Sequence, residues 1–434
     1  LPIQAMLQLF AFRRAAEYQP TLKTRSGAGL CPHHRNTISA RLTMVVGLLV
    51  LLPSAAQAAT SVWGNDKTNF NDKKAWVSDN LPGSGDIGSF QAGSVSKDPQ
   101  ITKNTSILGL EFTSGTAGWT FTGKSSNVLT IGASGIVSNS TSTQTFTGSD
   151  LGLNLSAAAS FTSNSTGALY FDSTMSGINN GGFLLTLNGT STNASNQIGT
   201  VISGSGGLTK SGAGTWQLSG ANTYSGTTTV SSGTLTLSNA AALGNVAGAV
   251  TVNGGTLNVA TNNTARTGTV SLVSGTISGN TLTKNGGTFD VQSGTISAKL
   301  SGTAGLTKTT TGSVTLSGTV ANDYSGLTTV NDGTLVLAKT AGINAIAGNL
   351  TIGDGTGATS SAKVQLTNAN QIADTSVVTL LADGQLNLNS KSETIGSLAS
   401  TFSAANILLG SATLTTGGNN SSTSYAGSIS GTGG

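Results

Sequence analysis

Catalysis and metal binding need nucleophiles, bases or ligands gathered in one place, and this chain of 434 residues is sparing with all of them. Its one cysteine, Cys31, and its two histidines, His33 and His34, all precede Ala59. The rest of the chain therefore lacks the groups for Cys–His or Ser–His–Asp nucleophile arrangements and for zinc sites built from Cys and His. Disulfides are excluded there too, so stability must come from packing and backbone pairing. Carboxylates and a single arginine remain. Arg266 is the only arginine after Arg41, and its nearest acid in sequence, Asp290, is 24 residues further on. A lyase that uses arginine as its base needs that arginine beside calcium-binding acids, and a hydrolase needs two or three carboxylates facing one cleft. The acids here are scattered singly. A polysaccharide lyase or hydrolase stands as the alternative reading, and no catalytic residue is assigned.

Two other patterns carry chemistry elsewhere. In Gly353-Asp354-Gly355-Thr356-Gly357 and Asp383-Gly384, carboxylates sit in glycine turns, which bind calcium on some coiled β-folds. The repeated G-G-x-G-x-D spacing is missing, and Asp-Gly is a preferred turn dipeptide, so no metal site is assigned. Gly204-Ser205-Gly206-Gly207 has no helix pattern after it and no Lys-Ser/Thr pair, so it is not a phosphate loop. No cofactor is expected. The net charge of +4 also dissolves on inspection, because residues 1–58 hold six of the twenty basic residues and one of the sixteen acids. From Ala59 onward 14 basic residues face 15 acids, which removes the basic patch that nucleic acid would require.

The elements that position these residues are short and repetitive. Gly206-Gly207-Leu208-Thr209-Lys210, with Gly214, Leu218 and Gly220, returns in altered form as Gly305-Leu306-Thr307-Lys308, with Gly312, Leu316 and Gly318. Each copy continues alike: Asn222, Tyr224, Ser225, Gly226, Thr228 to Val230 and Gly233 to Leu235 match Asn322, Tyr324, Ser325, Gly326, Thr328 to Val330 and Gly333 to Leu335. Two residues are inserted between Gly318 and Asn322. A period of this kind means stacked units, because one unit cannot bury its own apolar face.

Sixty glycines, few aromatics and abundant Ser, Thr and Asn point to many short strands joined by tight turns. Period-two alternation is clear in Val128-Leu129-Thr130-Ile131 and Phe183-Leu184-Leu185-Thr186-Leu187. The tripeptide G-T-apolar starts at Gly233, Gly255, Gly275, Gly287, Gly294 and Gly333, and its first two gaps, 22 and 20 residues, fit one coil of a three-sided solenoid. The expected fold is all-β, a right-handed parallel β-helix forming a rod of about 80 Å at ~4.8 Å per coil. Leu235 and Leu257 are expected inside as an apolar ladder, with Thr227 to Thr229 facing outward.

Residues 1–58 read as a leader: Arg35 and Arg41, an apolar run over 44–52, Pro53, then Ala56-Gln57-Ala58, with signal cleavage between Ala58 and Ala59. The run is too short to span a bilayer. Residues 59–100 form an aromatic and charged N-terminal cap, in which Trp63, Phe70, Trp76 and Phe90 cover the exposed end of the stack. A sugar platform of Trp63 and Trp76 is the functional alternative to that cap. Solenoid coils fill 101–203, and 204–434 carries the repeats, at 204–237 and 302–337. Tyr425-Ala426-Gly427 and Ile429-Ser430-Gly431-Thr432-Gly433-Gly434 read as a third copy, over 425–434, cut off before its L-T-K.

The two full copies resemble the autotransporter-associated β-strand repeat, also called the passenger-associated transport repeat. Leu386 to Asn389 and Thr394 to Leu398 resemble a segment that accompanies it. The second copy departs by placing Thr310 where the first has Gly212 and Val314 where it has Trp216. The resemblance implies a secreted β-helical passenger at the surface of a Gram-negative bacterium, a structural or adhesive rod whose repeats assist passage across the outer membrane. Its partner would be a host-surface or glycan ligand. It also implies a C-terminal barrel translocator or sorting anchor, and nothing near Gly434 shows the alternating ten-residue strands of such a barrel.

Overall fold

The structure is a computed structural model that describes residues 58–64, 67–93 and 98–434. Residues 1–57 of the leader, with its apolar run 44–52, lie outside the described residues. From Ala58 on, the alternation of apolar and polar residues is too short in phase for helices and is broken every few residues by glycine. Strands form, and they pair in parallel: the one antiparallel bridge among the described residues joins Trp63 to Trp76. The chain winds as a parallel β-solenoid of about 16 turns. Among the described residues two 3-10 turns, Lys73–Ala75 and Val77–Asp79, are the helical elements. Among the described residues no helix is long and apolar enough to cross a membrane.

Each coil has three faces. The first carries the L-T-K strands, and its inward register runs Leu185, Leu208, Thr228, Val250, Val270, Phe289, Leu306, Thr328, Leu350, Val378. The second carries the G-T-L strands, where Trp216, Leu235, Leu257, Ile277 and Ile296 stack inward as the expected ladder. The third is built of very short strands such as Ile202–Ser203 and Thr281–Thr283, and in the repeat copies of an Asn-x-Tyr turn instead. Parallel pairing repeats every coil, so like residues meet like and the core is a continuous column of small clusters.

Four features depart from the sequence reading. Thr228 and Thr328 point inward and are buried, because each occupies the first, inward position of its strand, so only Thr229 of Thr228–Val230 is turned out. Gly287 does not belong to the glycine column: Thr288 pairs with Gly305 on the first face, whereas Gly233, Gly275 and Gly294 lead second-face strands. The aromatic core is not confined to 59–100. Phe121, Phe146 and Phe171 lie in one register column with ring centroids 4.7 and 4.9 Å apart, and Ile198 and Leu218 replace the rings beyond. Finally, the terminal segment misses the register of the motif. Ser428–Gly431 lies on the second face against Asn406–Gly410, and Tyr425 pairs with Ser400, while Ile202 and Tyr224 of the first copy stand on the third face.

At the other end, Trp63, Phe70, Trp76 and Phe90 are fully buried and in mutual ring contact. Thr60–Trp63 and Ile87–Phe90 are already first-face strands, continuing to Gly109 and Phe112. Neither indole is exposed, so the pair presents no platform to a sugar.

Candidate functional site

The two repeat copies are the most distinctive chemistry of the chain, and their polar residues face inward. Lys210 ends its strand at an inside position, stacked between Leu187 and Val230, with essentially no solvent exposure. Its Nζ donates to the carbonyls of Ser211 (2.7 Å) and Gly212 (2.8 Å) in its own corner and of Ser232 (3.2 Å) in the next. The corner needs it: a chain turning between two faces leaves carbonyls that no ladder can pair, and buried acceptors must find donors. Burial pushes the Lys210 ammonium down to about 8, against the pull of its carbonyl acceptors toward the charged form. Lys308 repeats the arrangement between Val291 and Val330, donating to the carbonyls of Thr310 and Asp332. Its pKa is lowered by the same burial, offset in part by Asp332.

Asn222 replaces a strand on the third face. Its Oδ1 accepts from the Ile202 amide (2.8 Å) one coil back, and its Nδ2 donates to the Ala242 carbonyl (2.7 Å) one coil forward. Asn322 does the same between Leu300 (2.9 Å) and Ala345 (2.8 Å). One side chain thus ties three successive coils. Two residues on, the buried Tyr224 and Tyr324 pair their hydroxyls with Thr228 (2.7 Å) and Thr328 (2.6 Å), which explains why those threonines point inward. Burial raises both phenols to about 12.

The motif glycines mark where one backbone rests on the next. A Cβ on Gly226 would stand 2.5 Å from the carbonyl carbon of Gly206 and the nitrogen of Gly207. Gly326 sits in the same way against Ala304 and Gly305. A side chain at Gly207 would meet the Thr227 carbonyl, at Gly214 the Ser191 carbonyl, at Gly220 the Thr200 carbonyl, and at Gly312 the Gln292 carbonyl. Leu208, Leu218, Leu306 and Leu316 are simply core. Gly318 opens the two-residue insertion, whose Thr319 and Val320 stand out in solvent. Trp216 donates its indole N–H to the Asn188 carbonyl (3.0 Å), and Val314 fills the equivalent place without a donor.

Residues 208–237, 232–259 and 306–337 match the family described as Passenger-associated-transport-repeat. The chain thus carries passenger-associated transport repeats. Over 152 residues it is 36% identical to the adhesin BmaC autotransporter of Brucella suis biovar 1 (strain 1330). That likeness covers 35% of this chain and 4% of the adhesin. No solved structure gives a significant match. The matched stretch 232–259 is a copy that sequence reading passed over. It keeps G-T-L at Gly255, with Val252 in the place of Val230 and Val330, but it holds no lysine and lacks the Asn-x-Tyr turn.

The remaining candidates are placed as follows. Arg266 is buried, donating to the carbonyls of Asn245 (2.6 Å) and Gly248 (2.7 Å), and Lys284, beside it on the third face, donates to Gly268 (2.8 Å). They are further corner donors of the Lys210 kind. Asp290 lies outward on the first face, where its carboxylate accepts from Ser271 and Gln292. The structure does not bring Arg266 and Asp290 into one cleft, which the lyase geometry requires. Asp383 is buried and its carboxylate accepts from the amide of Gly355 (2.8 Å) and the hydroxyl of Ser361 (3.4 Å), so it closes a turn. Among the described residues no group of three or more acids stands ready for a metal ion.

Proposed function

We propose that this chain is an exported, non-catalytic surface rod of a Gram-negative bacterium, structural or adhesive, whose repeats assist its passage across the outer membrane. The observation that carries the reading is the reciprocal stapling within each repeat. Each asparagine bonds the coils before and after it, each lysine bonds its own corner and the next, each tyrosine braces the turn into the next strand, and the glycines let neighbouring backbones meet. A segment that reaches the far side of a membrane unfolded gains most when each coil is completed by its nearest neighbours, since such contacts are short-range and can propagate one coil at a time. The similarity to an adhesin supports display at the surface.

The test is to fuse the chain to an outer-membrane translocator and follow surface display by protease accessibility in intact cells. The parent is expected at the surface, and an Asn222→Ala/Asn322→Ala double variant is expected to stall in the periplasm. Equal display of the two would contradict the secretion role.

A further inference from the structure

The connection between first and second faces is short in the repeat region, three residues at 231–233 and four at 211–214. Upstream it grows. Five residues, 164–168, join Ala159–Ser163 to Leu169–Phe171, and eight, 189–196, join Leu185–Asn188 to Gln197–Ile198. The two loops line an open groove of about 500 Å³ between 164–166 and 190–193. Every lining residue is Asn, Ser or Thr, so the groove is uncharged. Its walls are fixed by the protein: Thr190 donates to the Asn164 carbonyl (3.1 Å), Asn193 Nδ2 to the Thr166 carbonyl (2.7 Å), and Asn164 Nδ2 to the Asn139 side chain (3.0 Å). Among the described residues the hydroxyls of Ser165, Thr166 and Thr192 have no protein partner, and Thr166 and Thr192 stand exposed.

We infer that this groove is the docking site of a neutral oligosaccharide. The inference deepens the adhesive reading and rests on it. A rigid cleft of hydroxyls and amides without charge matches vicinal diols, each of which can donate and accept at once, and offers no cation to a uronate or sialic acid. A peptide strand is a poorer occupant, because the backbone groups of the adjoining strands are already paired between coils.

The experiment presents the full chain to a printed panel of neutral glucan, galactan and mannan oligosaccharides and of uronates and sialosides, with titration of any binder by calorimetry. Binding to neutral sugars is expected, unchanged in Thr329→Ala, an outward residue of the distant first face. It should weaken at least about tenfold in Ser165→Ala/Thr192→Ala, since each neutral hydrogen bond contributes roughly 1 kcal/mol, and disappear in Thr192→Arg. No neutral binding, preference for anionic sugars, or binding indifferent to both groove variants overturns the site. Attachment of cells to immobilised protein is scored in parallel: attachment that ignores the groove variants defeats the groove alone, whereas no attachment by the parent defeats adhesion itself.

Discussion

Replacing Asn222 by alanine removes one side chain and orphans two buried backbone groups, the Ile202 N–H behind it and the Ala242 carbonyl ahead of it. Asn222 is 3% exposed, so water does not take its place without opening the coil. Each unsatisfied group costs about 1–3 kcal/mol, and the two together about 2–6 kcal/mol of local stability. A solenoid opens regionally, so a global midpoint would blur the effect. Native-state hydrogen exchange resolves it. The Ile202 amide itself loses its acceptor and is a poor reporter. The amides of Thr223 and Tyr224 both donate to the Ile202 carbonyl, at 2.9 and 3.2 Å, and are good ones. At ~3 kcal/mol their protection should fall by roughly 100-fold, and Asn322→Ala should do the same around Leu300. The outward Thr229→Ala should change protection by less than about threefold. If both asparagine variants behaved like Thr229→Ala, the asparagines would be spectators and the stapling argument would fail.

Gly226→Ala should lower stability by about 2 kcal/mol or more, because the added carbon meets backbone rather than a movable side chain; limited proteolysis should then cut between the two coils, where the parent resists. The buried Glu393 has its carboxyl raised from the ordinary 4.5 to about 7, mainly by desolvation, against the pull of backbone N–H groups including that of Gln371 (2.7 Å). Between these values the folded chain holds a proton that the unfolded chain has released. This contribution to stability is therefore full below pH ~4.5 and lost as pH rises through 7, and Glu393→Gln should flatten that slope in denaturant titrations taken at pH 5 and pH 8.

Much of the architecture is legible in the residues. Period-two alternation places Leu235 and Leu257 inside, and the glycine spacing gives the coil length. The inward polar residues are what alternation hides. Thr228 and Lys210 occupy inside positions of their strands while looking like surface residues, and only their partners, Tyr224 for one and corner carbonyls for the other, reveal why. The Tyr-x-x-x-Thr spacing and its recurrence as Tyr324 and Thr328 are the signal that points there. Gly287 misleads because a tripeptide does not say which of three faces it opens. The aromatic column through Phe121, Phe146 and Phe171 is spaced at 25 residues, so it is visible only once the coil length of that region is known. The groove at 164–166 and 190–193 had no signature beyond a longer Ser/Thr/Asn stretch.

The burial of the motif lysines is measured directly by amine labelling of the native chain read by mass spectrometry. Lys103 and Lys124 are exposed and should label fully, while Lys210 and Lys308, which show no exposure, should stay unmodified until the chain is unfolded. Labelling of Lys210 and Lys308 at the rate of Lys103 in the folded protein would contradict the account.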